Sequence, residues 1–154
     1  MGTWGEFAAA DPAMAETGRR LLYQFGPGLA FLATVRGDGA PRLHPICPVV
    51  TDDGLYAFVI ASPKQADLYR DGRYTLHAFP PEAVDDEFTV SGRAREETNA
   101  DVRARIGERY REEVHDDPRL ATYALFELGI DRAMLAVYRE RGAWPPTYSV
   151  WRSP

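Results

Sequence analysis

The sequence predicts a predominantly antiparallel β protein, a small Greek-key barrel with peripheral helices. Three observations carry this. Six or seven short segments rich in branched and aromatic residues follow one another along the chain. Turns built on Gly37-Asp38-Gly39 and Thr51-Asp52-Asp53-Gly54 join the early segments closely enough for hairpins. Only two or three stretches show helical periodicity. With so many apolar strands in 154 residues, continuous closure of the sheet is the simplest way to cover them.

Each element follows from local chemistry. Asp11-Pro12 caps and opens a helix that runs to Tyr23, and Gly26-Pro27-Gly28 ends this N-terminal helical segment, residues 1–25. The barrel core spans 29–97. Leu29 to Val35 is apolar almost throughout and reads as a strand buried on both faces. In the strand Arg42 to Val50, one face carries Leu43, Pro45, Cys47 and Val49 and reads as barrel core. The other carries Arg42, His44 and Ile46, and its apolar content, only partly covered, points to a partner subunit. Pro45 and Pro48 remove two ladder donors, so this strand is expected to be an edge or irregular over that length. Leu55 to Ala61 is a third strand.

Ser62-Pro63-Lys64-Gln65 then opens a helix to about Arg70, with an S-x-x-Q capping box and a stop at Asp71-Gly72. Arg73 to Phe79 is a fourth strand, Pro80 to Asp86 an acidic loop, and Glu87 to Glu97 a fifth strand in which Gly92 marks a bulge or close backbone approach. A helix over 98–115 shows Val102, Ile106 and Tyr110 as a packing stripe and ends at His115-Asp116-Asp117-Pro118. The C-terminal strands, within 121–154, are Thr122 to Leu128 and Ala133 to Tyr138, with a turn at Gly129-Ile130-Asp131. After the connector Gly142 to Pro146 comes a terminal segment, Thr147 to Trp151. Residues 1–154 thus form one domain.

Composition narrows the function. A net charge of −5 argues against a nucleic-acid surface, and no segment has transmembrane length. The first residues lack a basic region and a long apolar run, so no signal peptide is expected; with one cysteine, Cys47, a cytoplasmic protein is expected. His44, His77 and His115 lie on separate elements without metal-ligand spacing, and neither a G-x-G-x-x-G nor a Walker loop is present. No metal site is expected, and no catalytic side chain is assigned.

The turn Ser62 to Lys64 holds most of the chemical information. A capped helix N-terminus presents free N–H groups and partial positive charge, which suits a phosphate. Lys64 is the only lysine among 18 basic residues, and its charge opposes the helix dipole unless an anion is bound there. The competing reading is a surface lysine reaching into water.

With these elements in place, three stretches, LAFLATVRGDGAPRLHPI, LYAFVIASPKQADLYRDGRYTLHAF and EFTVSGRA, resemble the pyridoxamine 5′-phosphate oxidase-like superfamily of flavin-binding split β-barrels. The segment LFELGIDRAMLAVY followed by Trp151 is similar to the C-terminal part of its short members. The resemblance implies a homodimer with FMN at the interface, oxidising or reducing a small molecule. It implies that Arg42, His44, Pro45 and Ile46 line the flavin and that Ser62 and Lys64 hold its phosphate. Glu87 stands where the oxidases place a flavin-side glutamine, and Trp151 belongs to the cofactor surroundings. Alternatives within the superfamily are a reductase using the deazaflavin coenzyme and a non-enzymatic flavin or haem binder. The arginine-rich C-terminal segment of true oxidases has no counterpart in YSVWRSP, so pyridoxamine 5′-phosphate is not the expected substrate.

Overall fold

In the computed structural model, which describes residues 1–115 and 121–154, eight strands form one antiparallel sheet curled into a split barrel. The strands are β1 (Ala30–Val35), β2 (Pro41–Ile46), β3 (Val49–Val50), β4 (Leu55–Val59), β5 (Arg73–Ala78), β6 (Glu87–Glu96), β7 (Ala124–Val137) and β8 (Thr147–Arg152). They lie side by side in the order β2-β1-β5-β6-β7-β4-β3, with β8 also paired to β7. Four helices flank them: α1 (Trp4–Ala10), α2 (Pro12–Leu22), α3 (Pro63–Arg70) and α4 (Ala100–Val114).

Two features raise the number of elements, the first an irregularity expected from the prolines of one strand. The expected strand Arg42 to Val50 breaks at Cys47-Pro48, where proline cannot donate to a ladder, and its end re-pairs as β3 with β4. Before α2 stands α1, opened by a complete capping box. The Glu6 N–H donates to Thr3 Oγ1 at 3.2 Å and the Thr3 N–H to Glu6 Oε2 at 2.7 Å. In the opposite direction, the two strands expected around Gly129-Ile130-Asp131 are one continuous strand. Gly92 packs so tightly there that a Cβ would lie 2.0 Å from the Gly129 carbonyl oxygen, and the register shifts between Ser91 and Gly92. The bulge expected at Gly92 is therefore present, and it lets β7 bend without a turn.

The inner face of the sheet holds the main core. Leu32, Leu76, Val90, Leu128 and Ile130 pack with Trp4, Phe7, Leu21 and Leu22 from α1 and α2. Phe7 lies between Phe88 and Trp151, with ring centroids 6.4 and 5.2 Å away. A second cluster lies under α4, where Ile106 and Tyr110 of the expected stripe meet Val49, Tyr56, Phe58 and Leu125, with Val102 alongside. His115 closes α4 in the left-handed conformation, φ 54°; the rest of the expected stop, Asp116 to Pro118, lies outside the described residues.

The faces of β1 and β2 correct the sequence reading. β1 is buried on one face only, through Ala30, Leu32 and Thr34, while Phe31, Ala33 and Val35 are half-exposed. β2 is turned the other way from expectation: Leu43 is 64% exposed and Pro45 exposed, whereas Ile46 is buried and Arg42 and His44 point to the same inner side. Alternation specifies which residues share a face. A buried carboxylate, described next, decides which face turns inward.

Candidate functional site

α3 begins where the sequence places it. Ser62 is extended, Pro63 occupies the first turn, and the Gln65 N–H donates to Ser62 Oγ at 3.4 Å. The return half of the capping box is not made, because Gln65 Nε2 donates instead to the Val59 carbonyl at 2.9 Å. The Ser62 hydroxyl donates to the Ile60 carbonyl at 2.8 Å, so it acts as a cap and must rotate to donate to a ligand.

One turn further on lies Asp67, only 3% exposed. Its Oδ2 accepts from Arg42 Nε at 2.7 Å and from Thr34 Oγ1 at 2.9 Å, and its Oδ1 from Arg70 Nη2 at 3.0 Å. Arg70 also donates to the Val35 carbonyl. Burial alone would raise the Asp67 pKa. The bonds from Arg42, Thr34 and Arg70 outweigh it and hold the carboxyl below the usual range. This hub fastens α3 across β1 and β2, and it pulls the arginine-bearing face of β2 inward. Sequence reasoning missed Asp67, though an inward-facing arginine on a strand calls for a buried carboxylate.

The hub brings four of the expected site residues together: Arg42, His44, Ser62 and Lys64. Lys64 is half-buried and makes no hydrogen bond or ion pair among the described residues. Burial holds its ammonium below the ordinary lysine value, with Cys47 opposing. Burial, then the Lys64 charge, then Arg42 lower the His44 imidazole, while Asp67 opposes. The surroundings of β2 and the first turn of α3 are thus a partly desolvated cationic site with a near-neutral histidine. A bound anion of phosphate type would offset the Lys64 charge, so these residues fit a phosphate-bearing cofactor.

The other four candidates are distributed. Pro45 and Ile46 continue β2 on opposite faces, exposed and buried. Glu87 begins β6 on the outer face of the sheet, its Oε1 3.6 Å from His77 Nε2 and its Oε2 3.5 Å from the Tyr138 hydroxyl. His77 Nδ1 lies 2.6 Å from the Ala78 carbonyl oxygen, which fixes the proton on Nδ1. Trp151 is partly buried and packs on Phe7 and beside Gly2, against the core near α1 and not at the α3 turn. Among the described residues no group of three or more His, Cys, Asp or Glu is placed to hold a metal ion, and no helix is long and apolar enough to cross a membrane.

Comparison with known proteins gives the fold a lineage. Campylobacter jejuni ChuZ superposes with a TM-score of 0.69 at 10% identity, over 90% of this chain and 59% of that one. A haem-binding protein from Mycobacterium smegmatis gives 0.66 at 14% identity, over 92% and 58%. A Clostridium acetobutylicum protein related to general stress protein 26, of the pyridoxinephosphate oxidase family, gives 0.63 at 12% identity, over 90% and 93%. At these identities the likeness is one of fold. No curated protein matches by sequence. The pyridoxamine 5′-phosphate oxidase family model matches residues 20–135, which include β1 to β6, α3 and most of β7. The chain belongs to the pyridoxamine 5′-phosphate oxidase family.

Proposed function

We propose that this protein is an FMN-dependent oxidoreductase for a small molecule, working as a homodimer, with the cofactor phosphate at the Ser62–Lys64 turn. The observation that carries the reading is the half-buried Lys64 ammonium, without a hydrogen bond or ion pair among the described residues, in the first turn of a capped helix, beside Arg42 and His44. The helix N–H groups and Lys64 would hold the phosphate, and Asp67 keeps Arg42 oriented toward the same region from below. His44, held largely neutral, offers the ligand a hydrogen-bonding group without adding a third full charge. FMN supplies one- and two-electron transfer when bound, so the protein's task is binding, orientation and exclusion of water.

The test compares FMN with riboflavin, which lacks the phosphate, in wild type and Lys64→Ala. A hydrogen bond to a charged group contributes about 1.5–3 kcal/mol, so FMN binding should weaken roughly ten- to a hundredfold while riboflavin binding stays constant. Equal loss for both ligands, or none for either, overturns the phosphate assignment. Absorption spectra of the purified protein separate the remaining readings. Flavin bands support FMN, a single near-ultraviolet band the deazaflavin coenzyme, and a Soret band the haem-holding role named for the Mycobacterium smegmatis neighbour.

A further inference from the structure

Lys64 carries its charge beside a carboxylate that other donors already occupy. Asp67 stands three residues further along α3, the spacing at which an ammonium and a carboxylate meet on one helix face. Its Oδ2 accepts from Arg42 and Thr34, and its Oδ1 from Arg70. Lys64 is left without a hydrogen bond or ion pair among the described residues. Arg42 and His44 share the side of β2 that Asp67 draws toward α3, so the nearest strand offers Lys64 a guanidinium and an imidazole. Lys64 is half-buried there, and burial lowers its ammonium further than Cys47 raises it. It is also the only lysine of the chain.

We infer that Lys64 is a nucleophilic amine that captures a small anionic aldehyde as an imine. An ammonium becomes a nucleophile only by losing a proton, and partial burial beside other cations favours that loss. Half-burial also leaves Nζ open to a molecule of a few atoms. The first proton passes to His44, within electrostatic reach of Lys64 and held neutral by burial, by Lys64 and by Arg42. The Nζ lone pair then forms a bond to the aldehyde carbon. One N–H proton moves to the new alkoxide, the second leaves with that hydroxyl as water, and a C=N bond remains. Nothing is oxidised or reduced. With glyoxylate the cation is replaced by a neutral imine that bears a carboxylate. The charge in the first turn of α3 then matches the helix dipole instead of opposing it. A neutral aldehyde removes the cation but supplies no anion, so carboxylated or phosphorylated aldehydes are the favoured class. This uses the lysine of the reading above without depending on its cofactor, and it makes phosphate and aldehyde compete for one group.

Reductive trapping of the ligand-free protein tests it. Glyoxylate with sodium cyanoborohydride, which reduces imines and spares aldehydes, converts the adduct to a stable carboxymethyl amine. Peptide mass spectrometry reads it at Lys64, the only ε-amine present. At neutral pH the folded protein should label several-fold faster than the chain unfolded in guanidinium chloride, although unfolding exposes the side chain fully. Acetaldehyde should show a smaller folded-state advantage. His44→Gln, with its fold checked by circular dichroism, should label with glyoxylate more slowly than wild type. Folded protein that labels no faster than the unfolded chain overturns the inference. An equal advantage for acetaldehyde overturns the anionic class, and unchanged labelling of His44→Gln overturns the proton acceptor. Inorganic phosphate separates this inference from the reading above. Fast labelling that phosphate does not slow removes the phosphate assignment alone, and FMN binding to a protein whose Lys64 does not label removes this one.

Discussion

Arg42 Nε and Asp67 Oδ2 lie 2.7 Å apart, joining the inner face of β2 to the middle of α3 through a carboxylate that is 3% exposed. Removing one member of such a pair leaves the other without compensation. Asp67→Ala should therefore destabilise the protein by about 3–5 kcal/mol in denaturant titrations. The pH dependence has a definite sign. The folded carboxyl is held below its unfolded value of about 3.9, so its contribution is present above that pH and lost as pH falls through the folded value. Asp67→Asn should flatten the acid limb of the stability curve. An unchanged limb would show that Asp67 is not the titrating group.

His44 titrates with the same sign in a higher pH window. Its folded pKa is lowered by burial, by Lys64 and by Arg42, so the unfolded chain takes up a proton first. The stability it contributes is present above about pH 6.5 and lost as pH falls from there toward the folded value. Ligand-free wild type should lose melting temperature across that window, and His44→Gln should lose less. Saturating FMN should narrow the difference, because the phosphate offsets the Lys64 charge. Parallel curves for the two proteins, with and without FMN, would remove His44 from the cationic site.

At Gly92 the test is steric. A Cβ at this position would stand 2.0 Å from the Gly129 carbonyl oxygen, so Gly92→Ala forces β6 and β7 apart at the bulge. A loss of about 1–3 kcal/mol or more is expected in equilibrium unfolding. Gly39→Ala makes a useful contrast, since φ there is +86° but nothing lies within 4 Å; it should cost only backbone strain.

Tyr23 ties α2 to β3 and α4: its hydroxyl accepts from the Val50 N–H at 2.9 Å and donates to Glu113 Oε2 at 3.0 Å. Burial is the main cause that pushes the phenol up to about 12. The unfolded tyrosine ionises first, so stability should fall as pH rises from about 10 toward 12. Tyr23→Phe should remove that slope and cost about 1–3 kcal/mol at neutral pH, because it leaves the Val50 N–H without its acceptor. A variant as stable as wild type at pH 7 would mean that the amide finds another partner.

The α3 turn was legible because its signals are local: a serine cap, proline in the first turn, and Gly72 in the left-handed conformation just past the end. The Gly92 bulge was legible for the same reason. α1 was equally available, since Thr3 and Glu6 form the capping spacing that opens it. β7 was not, because Gly129-Ile130-Asp131 has turn chemistry whether or not it turns. What keeps it extended is distant: Ile130 is buried and pairs with Gly92 and Gly2, and the Met1 side chain lies against Gly129. The inward turn of β2 likewise depends on Asp67, 25 residues away from Arg42. Of the candidate site, the α3 turn was written in consecutive residues, whereas the packing of Trp151 against the core required knowing where α1 lies.

The span of β7 has a consequence for how the chain acquires its shape. This strand pairs with β6, β4 and β8, and among the described residues it alone joins the β2-β1-β5-β6 half of the sheet to the β4-β3 half. Until residues 124–137 are present, the two halves have no common ladder, and β4 and β6 each keep an open edge. The barrel therefore closes late, by long-range pairing after most of the chain has been made. It belongs with proteins of high contact order, whose folding takes milliseconds to seconds.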